Sequence, residues 1–167
     1  VDSLVGAAYF TETIEPTKEA GRPPTRLRPN PSRGCFLGID FHASHVFATA
    51  VDFAQNELLR MDRPLDGSKG SDAVVEELKR IMREMIAQTK LPVLAAGIAA
   101  PGRVDSRRGA VVEYAYIPGF ENVPLAAKLG AVANAPVFVN NNIRTMALAE
   151  RWFGEGRACQ DLICLGV

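Results

Sequence analysis

Side chains able to do chemistry fall into three groups along this chain. After the apolar run Pro136-Val137-Phe138-Val139 come Asn140, Asn141 and Asn142, a row of carboxamides. A carboxamide donates and accepts hydrogen bonds but takes no proton, so Asn141 and Asn142 can hold a polar ligand and cannot serve as a general base. Asn142 equally suits the N-cap of a following helix, and a cap-only role and a cap that also touches ligand are both open. The second group is the turn Asp40-Phe41-His42-Ala43-Ser44, with a carboxylate, an imidazole and a hydroxyl within five residues. The simplest reading of His42, and of His45 just beyond it, is a solvated turn histidine. The third group is Cys35, Cys159 and Cys164, odd in number and set in or beside apolar runs. That usage predicts reduced, mostly buried thiols and no metal site.

These groups must be positioned by one ordinary domain, since 167 residues with 47% hydrophobic composition suffice for one buried core. The 19 basic and 19 acidic residues balance, which excludes a broad basic field of the kind that coats nucleic acid or membrane. No run approaches the roughly 20 apolar residues of a membrane span, and Val1 to Phe10 lacks the basic flank of a signal peptide, so no membrane partner and a cytoplasmic location are expected. The segment Lys18 to Arg33 differs from the rest: Lys18, Arg22, Arg26, Arg28 and Arg33 face only Glu19, and Pro23, Pro24, Pro29 and Pro31 favour a stiff polyproline-like linker. Cys35 to Phe41, His45 to Phe53 and Glu57 to Arg63 predict a three-stranded meander. Ser71 is the expected N-cap of a helix with Val74, Val75, Leu78, Ile81, Met82, Met85 and Ile86 on its apolar face. Pro92 to Ala100 predicts a strand buried on both faces, Val123 to Leu129 a second helix, and Pro136 to Val139 another strand. Asn142 then caps a third helix whose core face includes Trp152 and Phe153 and which Gly154 stops at C′, before a last apolar strand over Asp161 to Val167. Both termini read as cuts through longer elements. The order β-β-β-α-β-α-β-α-β is that of an α/β, ribonuclease-H-like lobe with a mixed sheet, as in actin and hexokinase.

Four ordered motifs sharpen this. Leu27-Arg28-Pro29-Asn30-Pro31 followed by Phe36-Leu37-Gly38-Ile39-Asp40, then Gly97-Ile98-Ala99-Ala100-Pro101-Gly102-Arg103-Val104-Asp105, then Ile117-Pro118-Gly119-Phe120-Glu121-Asn122-Val123-Pro124-Leu125, then Pro136 to Asn142 with Ala147-Leu148-Ala149-Glu150-Arg151-Trp152-Phe153-Gly154, resemble the ROK family of sugar kinases and sugar-responsive regulators over residues 21–167. The resemblance implies that residues 1–33 are the end of a winged-helix domain and its basic linker. Residues 34–167 are then the first lobe of a sugar-kinase-like domain, with the second lobe starting at about 160–167. The family's zinc motif lies in that second lobe, so neither zinc nor any other cofactor is expected in this chain.

The same resemblance frames the chemistry. Family kinases carry a glycine-rich phosphate-binding turn where this chain has Asp40, His42 and Ser44. A Cβ bearing an imidazole opposes the positive φ and close amide approach that cradle phosphate. They carry Asn-Asp where this chain has Asn141-Asn142, and that aspartate is the base taking the sugar hydroxyl's proton. Losing such a base costs about a hundred- to ten-thousand-fold in rate. ATP use is therefore not expected, while Asn141, Asn142 and Tyr116, two residues before Pro118-Gly119, are the expected contacts to a monosaccharide effector. Gly21-Arg22-Pro23 resembles an AT-hook core, and Arg22, Arg26 and Arg28 form an expected DNA-proximal linker, with DNA bound through the winged-helix domain. The full-length protein is expected to be a homo-oligomeric, sugar-responsive regulator, a repressor by preference, and an ATP-dependent sugar kinase is the alternative.

Overall fold

A computed structural model describes residues 2–14 and 25–165. In chain order the elements are α1 (Asp2–Gly6), β1 (Phe10–Ile14), β2 (Thr25–Pro29), β3 (Cys35–Phe41), β4 (His45–Asp52), β5 (Glu57–Pro64), α2 (Ser71–Thr89), β6 (Val93–Ala100), β7 (Arg103–Asp105), β8 (Ala110–Glu113), β9 (Glu121–Val123), α3 (Leu125–Ala133), β10 (Val137–Asn141) and α4 (Asn142–Phe153). The central sheet runs β10-β6-β3-β4-β5, with β10, β6 and β3 parallel and the β3-β4-β5 meander antiparallel. This is the mixed α/β sheet expected from the sequence.

Alternation along β3 and β4 decides which face is core. Leu37, Ile39 and Phe41 on β3 and Val46, Ala48 and Ala50 on β4 are buried on one face, where α2 supplies Val74, Leu78, Ile81, Met82 and Met85 and α3 supplies Leu125 and Leu129. The positions between them, Phe36 and Phe47, stay exposed on the opposite face. No helix among the described residues is long and apolar enough to cross a membrane.

Several expectations are corrected. A small sheet, β7-β8-β9, intervenes between β6 and α3; its strands of three or four residues are too short for an alternating pattern to show. The second helix starts two residues later than expected, at Leu125, because Val123 ends β9. Ser71 is the first helical residue of α2 and not its cap. Gly70, at φ +87°, turns the chain inward, and the Ser71 amide donates to the Pro118 carbonyl. Residues 161–165 form no strand, and Leu162, Ile163 and Leu165 are exposed. Trp152 and Phe153 are about two-thirds exposed, at 63% and 66%, so helical spacing did not make them core. Gly154 does end α4, in extended rather than left-handed backbone. Of the thiols only Cys35 is buried, which pushes its pKa up; Cys159 is exposed and Cys164 half-buried.

The basic segment is likewise not a free linker over its described part. Thr25–Pro29 pairs antiparallel with Phe10–Ile14 as a two-stranded ribbon. Polyproline and β backbones are close neighbours, and a strand-forming partner rich in Thr and Phe tips the balance to β. Arg22 and the Gly21-Arg22-Pro23 tripeptide lie outside the described residues.

The β4-β5 turn depends on Asp52, which is buried and accepts from the amides of Ala54 and Asn56 at 2.8 and 2.9 Å and from Asn56 Nδ2 at 2.8 Å. Burial pushes its carboxyl up, but the bonds from Asn56 and Ala54 outweigh it and leave the group below the ordinary carboxylate range. Asp52→Ala should therefore cost about 1–3 kcal/mol, read as a lowered thermal midpoint. Because the folded-state value is depressed, the difference from the parent should be full at neutral pH and shrink as acid titrates the carboxylate.

Candidate functional site

Register brings the polar ends of several strands into two rows on the open face of the sheet. One row is Asn140, Ala99, Asp40, Phe47 and Asp62; the next is Phe138, Gly97, Gly38, Thr49 and Arg60. Gly38, Gly97 and Ala99 occupy the middle of these rows, and nothing lies within 4 Å of where a Gly97 side chain would begin. The missing side chains leave a depression, and α4 crosses it with Asn142, Thr145, Met146, Leu148 and Ala149. The result is a largely apolar cavity of about 670 Å³ with Asp40, Asn140 and Asn142 among its polar groups. That volume suits a small ligand.

Two turns deliver the central groups. The β3-β4 turn is closed by the His42 amide donating to the His45 carbonyl at 2.8 Å, and the Gly67 amide holds the Ala43 carbonyl at 2.7 Å. The His42 amide is thus already spent and not presented to an anion. Asp40 is half-buried, with its Oδ1 sealed from solvent and without a hydrogen-bond partner. Burial pushes its carboxyl up, partly offset by the neighbouring His42 imidazole, whose Nε2 lies 4.0 Å from Oδ1. On its other side the His42 ring places Nδ1 3.5 Å from Asn142 Nδ2. The imidazole therefore stands between Asp40 and Asn142. Since an amide nitrogen only donates, a hydrogen bond between the two requires Nδ1 to be the acceptor.

The carboxamides divide their work differently from the sequence expectation. Asn141, not Asn142, is the N-cap of α4: its Oδ1 accepts from the Arg144 amide at 3.2 Å, and its Nδ2 donates to the Gly102 carbonyl at 2.9 Å. Capping moves one residue toward the N-terminus because β10 runs directly into the helix, leaving Asn141 with extended backbone (φ −64°, ψ 139°). Asn142 is the first helical residue, buried at 7% exposure, with Oδ1 on the Ile143 amide and Nδ2 toward His42. Gly102 is fixed in turn: at φ +76° a side chain there would run into the Glu113 carbonyl. Asn140 accepts from Ser106 Oγ at 3.0 Å.

Asp40, His42 and Asn142 come together, and Asn141 stands beside them as a structural cap. Ser44 is exposed and does not line the cavity, and its carbonyl accepts from the Leu65 amide. Tyr116 is 77% exposed, lies tilted against Tyr114 with ring centres 5.5 Å apart and is not among the cavity-lining residues. His45 does not itself line the cavity but lies at its margin, pairing with Asp62 at 2.5 Å and stacking on Phe47 at 5.0 Å. Arg26 and Arg28 are exposed on the ribbon. Sequence reasoning missed the apolar wall of Phe47 and Phe138 and the glycine floor. Gly38 lies two residues before Asp40, and that i, i+2 spacing was the available signal.

The comparisons agree with this architecture. A xylose repressor of Caldicellulosiruptor bescii is 28% identical over 99% of this chain and 42% of its own length. A glucokinase of Thermotoga maritima is 33% identical over 77% of this chain and 40% of its own length. The crystal structure of a ROK-family transcriptional regulator, a homologue of the E. coli MLC protein, superposes with a TM-score of 0.74 at 25% identity, over 91% of this chain and 39% of that one. The chain thus spans about two-fifths of the length of these relatives, which include both regulators and kinases. Residues 36–167 match the sequence pattern of the ROK family, and the chain belongs to that family.

Proposed function

We propose that the chain is part of a sugar-responsive transcriptional regulator, a repressor by preference, which senses a monosaccharide without phosphorylating it. In this reading residues 1–33 end a winged-helix domain with its basic segment, and residues 34–167 are the first lobe of the sensing domain. The observation that carries it is the pairing of Asn142 with His42. Phosphoryl transfer to a sugar needs a proton acceptor and free turn amides for phosphate. Here the acceptor position holds a carboxamide, its amine is turned to the imidazole, and the turn amide of His42 is bonded within the hairpin. Hydrogen bonding to sugar hydroxyls survives these changes, and proton abstraction does not. The similarity to a xylose repressor over nearly the whole chain supports the same side. DNA bound through the winged helix and a homo-oligomeric assembly belong to this proposal, as does a cytoplasmic location.

The second reading is an ATP-dependent sugar kinase, favoured by the 33% identity to a glucokinase. Coupled measurement of ADP release separates the two. The full-length protein with glucose, xylose or N-acetylhexosamines should give no rate above the sugar-free background, whereas ordinary turnover establishes the kinase. The double substitution Asn142→Asp with His42→Gly, which restores a proton acceptor, should bring sugar-dependent ADP release above that background.

Sugar sensing has its own readout. A ligand bound only by the folded state adds about 2.7 kcal/mol at a hundred times its Kd. The full-length protein should melt higher with one of these sugars, and Asn142→Ala should abolish that shift. No shift with any of them would contradict a sensor for this class.

A further inference from the structure

The two rows on the open face of the sheet differ in chemistry. Asn140 and Asp40 belong to one. The other, two residues or about 7 Å along the strands, reads Phe138, Gly97, Gly38 and Thr49 across β10, β6, β3 and β4. The two glycines leave bare backbone between Phe138 and Thr49, whose strands stand three intervals, about 14 Å, apart. Space above Gly97 is open, and a side chain begun at Gly38 would touch the Thr49 methyl at 3.3 Å. That methyl faces the gap while the Thr49 hydroxyl donates to the Leu59 carbonyl at 3.1 Å. Met146 and Ala149 of α4 add apolar wall. Phe138 is 67% exposed, a large aromatic ring left open at the rim of the cavity.

This glycine slot offers a ligand little to bond to, since its floor is backbone of central strands and its walls are carbon. A sugar hydroxyl placed there would lose water and gain no partner. Hydroxyls find partners one row away, at Asn140 and Asp40 and the adjoining Asn142. Resting on the sensor reading above, we propose that the slot takes an apolar group carried by the sugar. The effector is then a glycoside: its monosaccharide ring is held at the polar row and its small, flat aglycone lies over Gly97 and Gly38. A cavity of about 670 Å³ has room for both parts. Gly97 and Phe138 are specificity-determining residues in this arrangement, although neither side chain can bond a hydroxyl.

The test is calorimetric titration of the full-length protein with glucose and xylose and with the methyl and phenyl glycosides of each, in both anomers. For one of these sugars the phenyl glycoside should bind at least about tenfold more tightly than the methyl glycoside, as expected for burying an aromatic ring. Gly97→Val fills the slot from its floor and should bring that ratio close to one. Phe138→Ser, at an exposed position, should reduce the ratio as well and serves should Gly97→Val fold poorly. A parent ratio near one, with the bare sugar binding, overturns the slot alone. A tenfold ratio that survives both substitutions also overturns it. Absence of binding by every sugar and glycoside would overturn the sensor reading and the slot together.

Discussion

The parallel pairing of β10 with β6, and of β6 with β3, is the constraint from which the site follows. It aligns Asn140 with Ala99 and Ala99 with Asp40, so segments a hundred residues apart end at one edge of one sheet. Neither the turn holding His42 nor the helix starting at Asn142 could reach the other without that register. A one-residue slip would turn Asp40 and Asn140 into the core and Ile39 and Val139 out to solvent, which is why burial of the opposite face fixes the polar row so firmly.

Within that frame one imidazole changes the character of the site. His42 stands between a partly buried carboxylate and a buried carboxamide. Its Nδ1 lies 3.5 Å from the Asn142 amine, and its own backbone amide is bonded within the hairpin. The cavity beneath α4 stays apolar and roomy because Gly38, Gly97 and Ala99 contribute almost no side chain. In the regulator reading proposed above, this is a site for a neutral, hydroxyl-bearing molecule.

Strong periodicity was legible in the sequence. The α2 stripe from Val74 to Met85 and the three meander strands lie where their patterns placed them, because one buried face dictates the spacing. Short or context-dependent elements were not legible. The β7-β9 sheet has too few residues per strand to alternate, and β2 exists only because Phe10–Ile14 supplies a partner. For the site, residue types at Asp40, His42 and Asn142 were sufficient to nominate them. The exchange of capping between Asn141 and Asn142 was not, since it depends on β10 entering α4 without a turn. Tyr116 failed to reach the cavity for a similar reason: its loop is anchored by buried Ile117 and Phe120, which direct the chain and leave the intervening ring on the surface.

Recognition without reaction is tested most directly by calorimetric titration of the full-length protein with a non-hydrolysable ATP analogue and magnesium, with and without a saturating monosaccharide. The regulator reading predicts heat of binding for the sugar and none for the nucleotide under either condition. Nucleotide binding that tightens when sugar is present would contradict it.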